Sequence, residues 1–85
     1  MNAKAYTPDE KFIIQLYRVA VAAGDSYVPV SWQEVAFPIG QKESGVKNII
    51  KLLAQANFIK KCEDGKIALT PHGRAFVCAE LKNSC

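Results

Sequence analysis

Apolar residues recur at helical spacing near the start of the chain, where Phe12, Ile13, Leu16, Ala20 and Ala23 fall on one arc. The polar stripe of Lys11, Gln15 and Arg18 is narrow, because Ile14, Tyr17 and Val21 widen the apolar arc past one face. A helix patterned this way is buried on more than one side. Its start is written in "TPDE": Thr7 is the N-cap, Pro8 suits the first helical position, and Glu10 returns the capping-box bond. Gly24 takes the left-handed angles that stop it.

The next segment, "SYVPV", is short and β-branched, and its proline restricts it to a sheet edge. "SWQE" repeats the capping-box pattern, with Ser31 as N-cap and Glu34 three residues on. Pro38 biases Phe37 away from helical angles, so this second helix ends near Ala36 or Phe37, and Ile39 and Gly40 form a turn. Trp32, in its first turn, belongs in the core or over it. A third helix follows, with Val46, Ile49, Ile50, Leu53 and Ala56 on a buried stripe. Gly40, Gln41 or Ser44 can cap it, and Asn57 ends it in left-handed angles.

"FIKKCEDGKIAL" reads as a hairpin, with Asp64-Gly65 as its turn between Phe58-Ile59 and Ile67-Leu69. Thr70 then caps a last helix that has Pro71 at its first position and little polar face. The order is helix, short strand, helix, helix, hairpin, helix. That is an α+β arrangement, expected to fill residues 1–85 as one domain with an ordered core from 7 to 82.

Composition narrows the class. Apolar residues at 49% and charged residues at 22% are ordinary for a globular chain, and no low-complexity tract argues for disorder. No apolar run suits a signal peptide, and none approaches the ~18–20 residues of a membrane span. Cys62, Cys78 and Cys85 are odd in number and lack metal-ligand spacing, so a reduced cytoplasmic protein without a disulfide framework is expected. Cys78 reads as a small core residue. His72, the single histidine, reads as a surface or capping residue rather than a ligand. No nucleophile–base pair, phosphate loop or metal cluster supports catalysis, and no cofactor is implied.

Charge changes the picture more. Six lysines and three acids lie between Lys42 and Lys66, whereas the rest of the chain carries five of each sign. The whole net charge of +3 therefore sits in less than a third of the sequence, a footprint suited to an anionic partner.

With the turn at Phe37 to Gly40, this order of elements resembles a winged helix-turn-helix domain. "SGVKNIIKLLAQANFIKK" followed by "DGKIALTPHGRAF" looks like the recognition helix and wing of small regulators of the MarR and PadR types. Ser44, Leu53, Asn57 and Phe58-Ile59 stand at the places those families give to a hydroxyl-rich helix start, a leucine, a glycine and an apolar pair. "LTPHGR" resembles their approach to the last helix. The sequence departs from the pattern at Glu63 and Asp64, which put acid at the wing tip, and at Gly45 near the start of the recognition helix.

The resemblance implies a partner, double-stranded DNA, with helix three in the major groove. Asn48 then suits an adenine edge and Lys47 a guanine edge, with Ser44 near the helix start. Lys42 and Lys51 suit phosphates, and Lys60, Lys61 and Lys66 flank the wing where a backbone would run. Lys60 and Lys61 point to opposite faces of their strand, so one of them at most serves a given surface. The alternative for these positions is the solvated face of an amphipathic helix and a strand edge guarded by lysines. Helices one and four, too apolar for a monomer's surface, imply a homodimer. The same apolar surface in a protein-interaction module without DNA binding is the rival expectation.

Overall fold

The computed structural model describes residues 6–81; the predicted core limit at 82 and Cys85 lie outside them. Four helices and a small antiparallel sheet alternate as α1 (Pro8–Ala22), β1 (Val30–Ser31), α2 (Trp32–Ala36), α3 (Glu43–Gln55), β2 (Ile59–Lys61), β3 (Lys66–Leu69) and α4 (Pro71–Leu81). The sheet order is β1-β3-β2. The predicted α+β order is thus present element by element.

α1 touches every other helix and both β1 and β3, which is why its apolar arc is so wide. Phe12, Ile13, Ile14, Leu16, Tyr17 and Ala20 are all buried. Each large apolar side chain so buried contributes roughly 1.5–3 kcal/mol. The capping box at Thr7 and Glu10 is complete. At the other end Gly24 N–H bonds Val21 O at 3.0 Å and Asp25 N–H bonds Ala20 O at 3.2 Å, the paired bonds of a Schellman motif around the left-handed Gly24. Ala23, expected on the buried stripe, is instead the exposed C-cap, because the helical period ends one residue earlier.

β3 lies in the middle of the sheet and buries Ile67, Ala68 and Leu69 in succession. β1 is an edge strand just after Pro29, in keeping with the proline rule. The hairpin between β2 and β3 closes through Asp64 (φ 58°) and Gly65 (φ 73°), with Lys66 N–H bonded to Glu63 O. Those angles are the mirror-image turn that Asp-Gly favours. Cys62 N–H also bonds Lys66 O at 2.7 Å, so two residues face one beside the turn. β2 begins at Ile59, and Phe58 lies just before it rather than in it.

α2 and α3 correct the sequence reading at three points. Phe37 has helical angles (φ −56°, ψ −53°) although Pro38 follows it. α2 itself ends at Ala36 with Phe37 as C-cap, as expected, and a turn over residues 37–40 follows, in which Gly40 N–H bonds Phe37 O and Gln41 N–H bonds Ala36 O, both at 3.1 Å. Those two bonds outweigh the steric bias of a residue before proline. At Ser31 the hydroxyl accepts from Gln33 N–H rather than from Glu34 N–H. The N-cap of α3 is Lys42, with no side-chain cap, and not Gly40, Gln41 or Ser44.

α3 buries Val46, Ile49, Ile50 and Leu53, whereas Ala56 is its exposed C-cap. Asn57 follows at φ 64°, with Asn57 N–H to Ala54 O at 3.0 Å and Phe58 N–H to Leu53 O at 2.9 Å. This is a Schellman motif with asparagine in the place glycine usually holds. Asn57→Ala is therefore expected to cost about 1–2 kcal/mol, and Asn57→Gly to be neutral or stabilising. Urea midpoints of the two variants check it; equal midpoints would contradict the strain.

α4 starts as predicted. Thr70 Oγ1 accepts from Gly73 N–H at 3.0 Å and its hydroxyl donates to Asn57 O. His72 is exposed and its ring stacks on Phe58 with centroids 4.8 Å apart. Arg74 Nε donates to the buried Ser26 hydroxyl at 3.1 Å, tying α4 to the loop after α1. Cys78 is half-buried and disulfide-bonded, which corrects the expectation of a reduced core thiol there. Among the described residues, no helix is long and apolar enough to cross a membrane.

Candidate functional site

Between the α3 face and the β2–β3 hairpin runs a groove of about 500 Å³. α3 brings Lys47 and Lys51 to it, one turn apart, because i and i+4 share a helix face. The hairpin brings Lys61 from β2 and Lys66 from β3. Four lysines from two elements thus meet on one cleft, all of them exposed. Glu43 lines the same groove, its carboxylate 3.8 Å from Lys47 Nζ. An exposed pair of this kind is worth little and leaves the groove strongly basic.

The floor is apolar. Val46, Ile50 and Ile67 are each at most 9% exposed, and half-buried Trp32 and Cys62 stand beside them. Trp32 is held against the hairpin turn: its Cδ1 and Nε1 lie 3.6 Å from where a β-carbon of Gly65 would be. The expected role of Trp32 as core or lid is thus refined to a wall shared by α2 and the hairpin.

The sequence-predicted site residues divide into three places. Lys47, Lys51 and Lys66 line the groove. Ser44 and Asn48 are exposed on α3, one turn apart and outside the groove lining, on an arc that continues to Leu52 at 51% exposed. Lys42 is exposed at the N-cap of α3. Lys60 is exposed but is not in the groove lining; Lys61 is. Strand parity gives the reason. Ile59 is buried and Lys61 lies two residues on, paired with Ile67, so both are on the face toward α3. Lys60, paired with Ala68, faces the other way. Only the burial of Ile59, which the fold decides, picks Lys61 over Lys60.

A second depression borders the first, sharing Trp32 and Glu43 and continuing along Ala36, Phe37 and Pro38. Phe37 is 87% exposed on its rim. Glu34 and Glu43 make this side acidic, in contrast to the groove.

The apolar surface expected to pair helices one and four is smaller than the sequence suggested. α1 spends its large side chains on the chain's own core and exposes Val21 at 46%. α4 buries Val77 and Gly73, half-buries Phe76 and Leu81, and exposes Ala75 and Ala79. Among the described residues there is no cluster of histidine, cysteine and acidic groups suited to a metal. The chain matches no protein-family model, no curated protein and no solved structure.

Proposed function

We propose that this chain is a small winged helix-turn-helix DNA-binding protein, a transcriptional regulator or an accessory to one, that lays α3 in the major groove. The observation that carries the reading is the convergence of Lys47, Lys51, Lys61 and Lys66 on one groove beside the exposed polar arc of α3. The element order and the β1-β3-β2 sheet support the winged-helix assignment. In this reading the groove holds a phosphate backbone, Asn48 and Ser44 meet base edges, and Lys42 reaches a flanking phosphate. Leu52 adds an apolar contact suited to a thymine methyl. Glu63 and Asp64 keep the hairpin tip out of the minor groove. The protein acts as a binding protein rather than an enzyme, and the homodimer proposed with it through α1 and α4 would rest on Val21 and the half-buried Phe76 and Leu81.

Selection from a random duplex library at low salt tests the reading. A recovered consensus is the expected result, and Asn48→Ala should then relax the preference at one position by ~1–3 kcal/mol. An equal loss on all sequences would remove Asn48 from the reading role.

A protein-interaction module is the second reading, and the exposure of Phe37 favours it. A chain that stays monomeric in solution and ignores duplex DNA at low salt would select it over the first.

A further inference from the structure

The groove is lined wrongly for a phosphate backbone alone. Phosphates are held by cations and N–H groups, and they gain nothing from Val46, Ile50 and Ile67. An unpaired nucleotide differs, because its base offers an apolar π face that stacks on aromatic side chains and its phosphates are neutralised by lysines. The groove has both parts, an apolar floor with an indole on its wall and four lysines on the rim. Its volume of about 500 Å³ suits a nucleoside, within the ~300–1,000 Å³ usual for small-ligand pockets. Trp32 packs against Gly65, the residue before Lys66, so the indole and a phosphate-neutralising lysine stand side by side in the groove. That wall is the place for a base, and the lysines of the hairpin and of α3 around it are the place for the phosphates on either side.

In a fully paired duplex every base face is stacked and every pairing edge is taken. We infer that the groove takes an unpaired base against Trp32, so that the protein prefers DNA with an unpaired strand to fully paired duplex. The inference rests on the nucleic-acid reading and goes past it, from a basic surface to a stacking site for a single strand. The scattered tyrosines gave no such platform in the sequence; the aromatic wall is the single tryptophan, brought against Gly65 by the fold.

The test uses the full chain, a labelled oligothymidylate and a duplex of the same length, at low salt. The oligothymidylate should bind at least about fivefold more tightly than the duplex, which is the lower bound for one base stack. The emission of Trp32, the only tryptophan, should change saturably with the single strand. Trp32→Leu should weaken oligothymidylate binding by roughly 5–150-fold, and Trp32→Phe should recover most of it. If Trp32→Leu does not fold, the wild-type emission titration decides. Duplex binding as tight as the single strand, or single-strand binding with Trp32 emission unmoved, overturns the inference and leaves the duplex reading standing. Binding of neither DNA overturns both.

Discussion

Gly73→Ala should lower the free energy of unfolding by about 2–4 kcal/mol, from overpacking and the hydrogen bonds it would break. A β-carbon at Gly73 would stand 1.9 Å from Phe58 O and 2.8 Å from Phe58 C. These are backbone atoms, so no rotamer change relieves the clash. Nor can the Phe58 segment retreat freely. Phe58 N–H bonds Leu53 O, Phe58 O accepts from Thr70 N–H, and the Thr70 hydroxyl donates to Asn57 O. Moving the peptide breaks the end of α3 and the start of α4 together. The control is Gly45→Ala, where the nearest neighbour of an added β-carbon is the mobile Gln41 Oε1 at 3.1 Å. That change should stabilise by up to ~1 kcal/mol through helix propensity. Urea unfolding reads both, and equal midpoints would show that the close approach of α4 to Phe58 is not required.

Replacing Lys47, Lys51, Lys61 and Lys66 together with glutamine should weaken DNA binding by about 10³–10⁴-fold near 0.1 M salt. The figure follows from counterion release, a log–log salt slope of ~0.9 per phosphate neutralised, taken over the decade from about 1 M down to about 0.1 M salt. All four side chains are exposed, so stability should change by no more than ~0.5 kcal/mol for each. Anisotropy with a labelled duplex checks the affinity, and circular dichroism checks the fold. A folded variant that keeps wild-type affinity would move the interface away from this groove.

Local chemistry made most of the fold legible. Thr7 with Glu10, Thr70 with Pro71, Asn57 and Asp64-Gly65 each act within a few residues, and each is found in its expected role. Periodicity did less well at helix ends, where Ala23 and Ala56 keep the spacing but pass beyond the packed turns. α2 stops where the proline predicted, but Phe37 keeps helical angles because the bonds made by Gly40 and Gln41 N–H override the proline bias. The candidate site was legible on α3, where spacing alone puts Lys47 and Lys51 together. It was not legible on the hairpin, where choosing Lys61 over Lys60 needs the face that α3 covers. Trp32 and Gly73 were hidden for a related reason. Their partners, Gly65 and Phe58, are distant in sequence, and nothing beside either residue announces the contact.

Lys60 and Lys61 also give the sharpest test, since they are adjacent, identical in charge and both exposed. The salt dependence of duplex binding should be measured for the wild-type chain and for Lys60→Gln and Lys61→Gln. A groove that holds the DNA backbone predicts that Lys61→Gln makes the log–log slope shallower by ~0.9, while Lys60→Gln leaves it unchanged. Equal slopes for the two variants, or the larger loss at Lys60, would contradict the placement of DNA between α3 and the hairpin.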